Sequence, residues 1–364
     1  MTIASPSFDR SIADVAPVAE GPALSAYLAR HDAATPFHEP RWCRAIEAGC
    51  GHGFHLLGAT SAGGRLVGYL PLTHVRSKLF GDALVSSAFA VGGGILADDA
   101  PSASALADAA WSLARTLGVG TVELRGGHDP VSVRGDDRCA TPWQRDDETY
   151  AHFIWDLAED DEQQLLAITR RQRAEVRKSL KGNLSVRIGR DSIDRRQHYA
   201  IYAESVRNLG TPVFPRALFD SVLDAFGDDA DILTVLDNDV PVASVLSLYH
   251  RGIVMPYWGG GTLGARALRA NERAHYELML HARRRGCTRF DFGRSKVGTG
   301  PHAYKKNWGF EPTPLTYFAR SADGQAQRSI NPLDAKYRLK IALWKKLPLG
   351  IANRIGPLIA RGLG

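Results

Sequence analysis

The chain repeats its own organisation after about 168 residues, and this repeat restricts the fold more than any other feature. The period is too long for a solenoid unit and suits a duplicated domain. In the first half, residues 65–76 (RLVGYLPLTHVR) and 82–87 read as strands and Gly92–Gly94 is a triple glycine. Residues 102–117 then read as a helix closed by Gly118, and 121–125 (TVELR) as a strand. In the second half, 241–251 and 253–258 read as strands, and Gly259–Gly261 is again a triple glycine. Residues 265–285 follow as a helix closed by Gly286, and 289–292 as a strand. The helix assignment rests on apolar spacing: Ala274, Leu278 and His281 fall on one face, filled in by Tyr276, Met279 and Leu280.

Each unit therefore reads as an antiparallel meander, a glycine-rich turn, a helix and a strand. Such a turn points backbone N–H groups at an anion near the helix N-terminus. Glycine also serves any tight strand-to-helix turn. Both readings stand for Gly259, Gly260 and Gly261, the candidate cofactor-binding glycines.

Composition removes several classes of protein. At 364 residues with 44% hydrophobic and 23% charged content, the chain can build two domains with substantial cores. The first residues, MTIASPSFDRSIADVAPV, lack the basic and apolar regions of a secretory signal. No apolar run is long enough for a transmembrane helix, so a cytoplasmic protein is expected. Cys43, Cys50, Cys139 and Cys287 form no CxxC pair. With His52 and His55, the first two match no common zinc finger, so reduced structural thiols and no metal are expected.

Between the units, 126–149 is rich in Gly, Asp, Arg and Pro and reads as a connecting loop. Residues 150–157 alternate like a strand, 160–182 read as a helix, 194–209 and 215–226 as two more, and 231–236 as a strand. From Arg170 to Lys181 there are six cations and one anion, Glu175. That run is either a solvated face or a landing surface for phosphates, of a nucleotide-linked precursor or of tRNA.

Residues 290–312 (FDFGRSKVGTGPHAYKKNWGFEP) carry the clearest chemistry. A buried strand runs into a glycine-rich cationic loop and then a short helix bearing Tyr304, Lys305 and Lys306. Gly293, Gly298 and Gly300 allow close backbone approach or positive φ. Arg294, Lys296 and Lys305, gathered at the mouth of a sheet, suit an anionic substrate or the oxyanion of acyl transfer. The alternative is a basic surface loop.

The duplicated arrangement resembles the GNAT-type acyltransferases, and the tandem pair resembles the FemAB arrangement. The likeness rests on Ala270-Asn271 and Glu277-Leu278-Met279, then FDFGRSK, TG and YKKNWGFEP, ending at Tyr317. This run is similar to FemAB-related proteins of PEP-CTERM/exosortase exopolysaccharide systems. Pro36-Phe37, Pro40, Trp42, Gly68–Leu72 and Val75–Gly81 fit the first unit of the same family. The resemblance implies an α/β (α+β) fold: tandem GNAT-like domains with mixed, largely antiparallel sheets flanked by helices. The expected units are 1–149, 150–330 and a tail, 331–364.

The resemblance also implies an acyl- or aminoacyltransferase acting on a saccharide or peptidoglycan-type precursor of the envelope. By position, Tyr304 and Lys305 correspond to the aromatic-lysine pair near the site of transfer, with Lys305 stabilising the oxyanion or positioning the donor. Arg294, Lys296 and Lys306 would hold phosphates, and Asn271, Gly298 and Gly300 would line the substrate site. Asp291 either orients one of these cations, acts as a base or pairs with Arg294. Tyr304 and Trp308 either pack or stack on a ligand. The donor, acyl-CoA or aminoacyl-tRNA, would be a co-substrate rather than a tightly bound cofactor. The Arg or Gln that leads the GNAT pyrophosphate pattern is missing before GGGTLGA (259–265), which leaves the donor open. Two other functions remain beside this one: a non-catalytic assembly factor that keeps the fold, and an acetyl-CoA-dependent sugar acetyltransferase. His275 and His281 read as helix-packing or surface histidines.

The tail from Asn331 carries seven cations against Asp334, which accounts for the whole net charge of +6. Its cations alternate with Leu, Ile and Trp344. It reads either as a peripheral anchor on an anionic inner membrane or as a brace along the two domains.

Overall fold

The computed structural model describes residues 12–130, 142–322 and 335–364. Cys139, the middle of the 126–149 connection and the start of the tail lie outside them.

The chain builds two sheets. The first contains β1 (Ile12–Pro17), β2 (Phe54–Ser61), β3 (Leu66–Val75), β4 (Ala83–Ser86), β5 (Leu96–Ala97), β6 (Thr121–Arg125) and β7 (Gln144–Asp146). The second contains β8 (Tyr150–Asp156), β9 (Leu184–Gly189), β10 (Ala230–Asp237), β11 (Val240–His250), β12 (Ile253–Gly261), β13 (Arg289–Lys296) and β14 (Pro312–Pro314). The last strand, β15 (Tyr317–Ser321), returns to the first sheet and lies between β6 and β7. The orders are β1-β2-β3-β4-β6-β15-β7, with β5 on β3, and β14-β8-β13-β12-β11-β10-β9. Both sheets are mixed and largely antiparallel, as expected.

The first unit carries α1 (Pro22–Arg30), α2 (Pro40–Cys50) and α3 (Ala100–Thr116). The second carries α4 (Asp161–Ala167), α5 (Arg170–Lys181), α6 (Ser192–Leu209), α7 (Arg216–Phe226), α8 (Ala265–Leu268), α9 (Ala270–Arg284) and α10 (Gly300–Trp308). The tail forms α11 (Ala335–Lys346) and α12 (Leu349–Ala360).

Local chemistry sets these boundaries. Asp99 caps α3 by accepting from the Ser102 N–H at 2.8 Å. The helix buries Ala103, Leu106, Ala107, Ala110 and Ala114, a helical stripe, and Gly118 follows it at φ 68°. Two expected helices are divided. The 160–182 segment breaks at Ile168, and Thr169 caps α5 through Gln172. The 265–285 segment breaks at Arg269, whose φ is 60° and whose guanidinium bonds to Glu175 and to the Arg266 and Ala267 carbonyls.

The duplication shows in the pairing. β4 meets β6 in parallel only at Leu84↔Val122 and Val85↔Glu123, and β12 meets β13 only at Ile253↔Arg289 and Val254↔Phe290. Elsewhere the sheets are antiparallel.

The two units share one core. Trp42 is fully buried, stacks on Trp258 with centroids 6.1 Å apart and meets Phe37, Phe226 and Tyr257 edge-on. α2 and α7 cross closely because of Gly49, where a Cβ would stand 2.5 Å from the Leu218 Cα. Gly49→Ala is therefore expected to cost about 2 kcal/mol by overpacking, seen as a lower urea midpoint. An unchanged midpoint would mean that the helices separate freely.

The tail lies as a brace across both units. Gly356 packs on Val213, and Gly210 lies under Ile341 and Lys345. In the first unit, the Arg361 carbonyl lies 2.6 Å from His52 Nε2, and the Gly364 carbonyl accepts from Arg125 at 2.7 Å. No helix among the described residues is long and apolar enough to cross a membrane.

Candidate active site

The site grows from the divergence of β12 and β13. After their two paired positions, β12 continues along β11 and β13 along β8. Their facing edges separate into a wedge in which backbone N–H and C=O groups lack ladder partners. The corresponding wedge in the first unit is closed. Arg125 N donates to Ser86 Oγ at 2.8 Å, Arg125 Nη1 donates to the Ala90 carbonyl at 3.1 Å, and Ile95 bridges Gly127.

A β-bulge shapes the β13 side. The register against β8 shifts between Asp291 and Gly293, and Gly293 takes φ 68°. The bulge makes Asp291 and His152 diagonal neighbours: His152 Nε2 lies 2.7 Å from Asp291 Oδ1, which also accepts from Gly293 N at 2.8 Å. Asp291 thus pairs with His152, and no Asp291–Arg294 ion pair occurs among the described residues. His152 was missed because the sequence gives no sign that the 150–157 strand pairs with 289–296.

Lys305 rises from α10 into the inner side of this bulge. It is 9% exposed, and its Nζ donates to the Arg294 carbonyl at 2.7 Å and the Gly293 carbonyl at 3.2 Å. The rings of Phe153 and Phe292 lie 5.4 Å from it. Burial lowers its pKa to about 7; Asp291 opposes that shift and Arg294 adds to it. The lysine therefore exists at neutral pH in both protonation states, not as the permanent cation the sequence suggested.

Arg294 faces aromatic groups. Nη1 donates to Tyr317 Oη at 2.7 Å, and the guanidinium stacks on Tyr150 at 4.8 Å. Tyr317 Oη passes the chain on to the Val91 carbonyl at 2.7 Å. Arg294 thus ties the second sheet to the first, where a phosphate-binding role had been expected. The first unit's 88–91 loop is held the same way throughout. Trp42, Tyr257, Arg125 and Tyr317 donate to the carbonyls of Ala88, Phe89, Ala90 and Val91 in turn.

The remaining candidates divide. Tyr304 Oη lies 3.0 Å from His275 Nδ1, and burial holds His275 down to about 4, so it is neutral. Trp308 is fully buried against Tyr304, Phe292 and His275, which is the packing role among the two alternatives the sequence left open. Lys306 is exposed and Lys296 half-buried. Gly298 has φ 79° and Gly300 opens α10, both with open space where a Cβ would stand. Gly259, Gly260 and Gly261 do not form a turn. They continue β12, paired with Val245, Ser244 and Ala243. A Cβ on Gly260 would stand 2.4 Å from Ser205 Oγ, and one on Gly261 would stand 2.6 Å from the Ala265 Cβ and 2.9 Å from Asn271 Oδ1. These glycines let α6, α8 and α9 close on the strand.

Beside α10 runs the basic stripe of α5. Thr169, its cap, donates to the Asn307 carbonyl of α10. Arg170, Arg173, Arg177 and Lys181 line a groove of about 450 Å³. Among the described residues no cluster of His, Cys, Asp and Glu could hold a metal ion. Burial pushes the Cys43 and Cys50 thiols up to about 12, and both are free.

Residues 166–306 match the family model described as an acetyltransferase (GNAT) domain. No curated protein matches the sequence. Among solved structures, FemX is similar at a TM-score of 0.63 and 16% identity, over 81% of this chain and 94% of that one. The C-terminal domain assigned to a lysylphosphatidylglycerol synthetase of Agrobacterium fabrum has a TM-score of 0.54 at 11% identity, over 89% and 93%. A tandem GNAT protein of the clavulanic acid biosynthesis pathway has 0.51 at 12%, over 84% and 93%. Residues 166–306 thus match a GNAT acetyltransferase domain model, and the chain as a whole has a tandem GNAT-like fold.

Proposed function

We propose that the protein transfers an acyl or aminoacyl group to a cell-envelope or exopolysaccharide precursor, with Lys305 as the proton-transfer group. The observation that carries this is a buried lysine near neutrality, held at the bulged strand of an open wedge. A neutral Lys305 amine donates both hydrogens to the Gly293 and Arg294 carbonyls and keeps its lone pair. The acceptor's nucleophilic hydroxyl or amine attacks the acyl carbonyl, and its proton passes to that lone pair. The ammonium so formed faces the tetrahedral oxyanion. When the intermediate collapses, the bond to the carrier breaks and the ammonium returns its proton to the leaving thiolate or alkoxide. Asp291, fixed by His152, favours the ammonium form.

The unit division at 149 and 330, with the second unit carrying the chemistry, is part of this proposal. The open strand edges of the wedge suit a carrier arm containing amides. The α5 stripe beside α10 suits the carrier's phosphates, of acyl-CoA or of aminoacyl-tRNA. An aminoacyl donor accords with the likeness to a protein assigned as a lysylphosphatidylglycerol synthetase. A coenzyme A donor accords with the GNAT domain itself.

Calorimetry with acetyl-CoA, charged tRNA and uncharged tRNA tests the reading. One carrier is expected to bind, and Arg173→Glu with Arg177→Glu to weaken it by tenfold or more. Binding of neither carrier removes the transferase reading and leaves an assembly factor. Mass spectrometry of envelope polysaccharide and peptidoglycan, with and without the protein, then identifies the acceptor.

A further inference from the structure

The tail helices face the body with the wrong residues for an ordinary brace. α12 buries Ala352, Gly356 and Ala360 against the protein and turns Ile351, Ile355 and Leu358 outward. α11 likewise leaves Leu339 and Leu343 outside. These five large apolar side chains are 42–69% exposed. An amphipathic helix that only had to pack would put its large residues inward. Here the small residues of α12 let it lie close to the protein, and while Ile341, Trp344 and Ile359 are partly buried, these five large side chains stay outside.

Both helices rest on α6 and the segment after it, α11 through Gly210 and α12 through Val213, so their outer faces share one side. Leu209, at the end of α6, is 65% exposed beside Gly210. At the far end, Gly362 touches Ser77, which brings in a segment distant in sequence. That segment adds exposed Arg76, Lys78 and Leu79. The tail adds exposed Lys340, Lys345, Lys346, Arg354 and Arg361. Its described residues include no acid, and the carboxylate at the Ser77 end is Asp82.

We infer that this face docks on an anionic lipid bilayer, with the apolar side chains entering the headgroup boundary and the cations meeting lipid phosphates. Charge decides the occupant. The cores of protein–protein interfaces are depleted in lysine and other charged residues. Interfacial helices combine exposed Leu and Ile with Lys and Arg, as here. Each cation near an anionic bilayer adds attraction. Neither helix is long enough to span, so the contact is with the surface. This inference does not depend on the proposed reaction.

The test is co-sedimentation of the full chain with phosphatidylcholine vesicles, with and without phosphatidylglycerol. The wild type is expected to pellet with the anionic vesicles and far less with the neutral ones. The triple variant Leu343→Glu, Ile355→Glu, Leu358→Glu, at exposed positions, is expected to lose at least about tenfold in partitioning. Lys345→Ala with Lys346→Ala should lose roughly fivefold per lysine and needs no change to an apolar residue. Matching circular dichroism and melting curves check folding. Failure of the wild type to pellet with anionic vesicles overturns the proposal, as does equal pelleting by every variant. So does a concentration-dependent dimer that the triple variant abolishes, which would assign the face to a second copy of the chain.

Discussion

Lys305→Met is expected to reduce transfer by at least about a hundredfold while the protein stays folded. The methionine fills similar space but takes no proton. In the wild type the rate should rise with pH through about 7, as the neutral amine becomes the working form. Stability gives an independent readout. Unfolded Lys305 holds its proton up to the ordinary lysine range, whereas the folded protein releases it near 7. Between those values the unfolded state binds more protons, so stability rises with pH. From pH 7 to pH 9 the wild type should gain about 2 kcal/mol relative to Lys305→Met in urea melts. Transfer that survives the substitution would take the lysine out of the chemistry. An equal pH slope in both proteins would mean that the amine is charged in the fold.

Gly94→Ala is expected to cost at least about 4 kcal/mol, or about 5 °C or more in Tm, and to yield mostly insoluble protein. Its Cβ would stand 1.9 Å from the Gly126 carbonyl oxygen and 3.0 Å from that of Arg125. Both are backbone atoms that cannot rotate away. Gly127 on the other side is equally confined, 2.5 Å from the Ile95 backbone. This crossing closes the first unit's wedge. Gly92, in the same triplet, would meet only Phe37, at 3.9 Å, so Gly92→Ala should stay within about 0.5 kcal/mol. Similar melts for the two variants would mean that the crossing is loose.

The contrast within one triplet shows where sequence reading succeeds and where it stops. Period-two and period-3.6 patterns located the repeated elements, β3, β4, α3 and β6 in the first half and β11, β12, α9 and β13 in the second, because burial of apolar residues sets those periods, whereas β1, α1, α2, β2, β9 and β15 were not read. TVELR was placed at its observed limits. The breaks at Ile168 and Arg269 were missed. The first had a signal, Thr169 three residues ahead of Gln172, which is the capping pattern. The second had none, since Arg269 is held in a left-handed conformation by tertiary partners. The motif at 290–312 led to Lys305. Its surroundings could not be read, because His152, Tyr150 and the first unit's 88–91 loop reach it only through strand pairing. Two glycine triplets that look alike in sequence also do different work: one lets backbones cross, and the other lets helices settle on a strand.

The return of β15 to the first sheet bears on how the protein is made. During synthesis the N-terminal sheet emerges with a missing row, since the strand that fits between β6 and β7 is translated after every strand of the second sheet. The exposed edge of β6 must wait, unpaired, while the whole second unit leaves the ribosome. A nascent chain arrested before Tyr317 should therefore present an open sheet edge that recruits chaperones, and release of the final strand should mature both halves together.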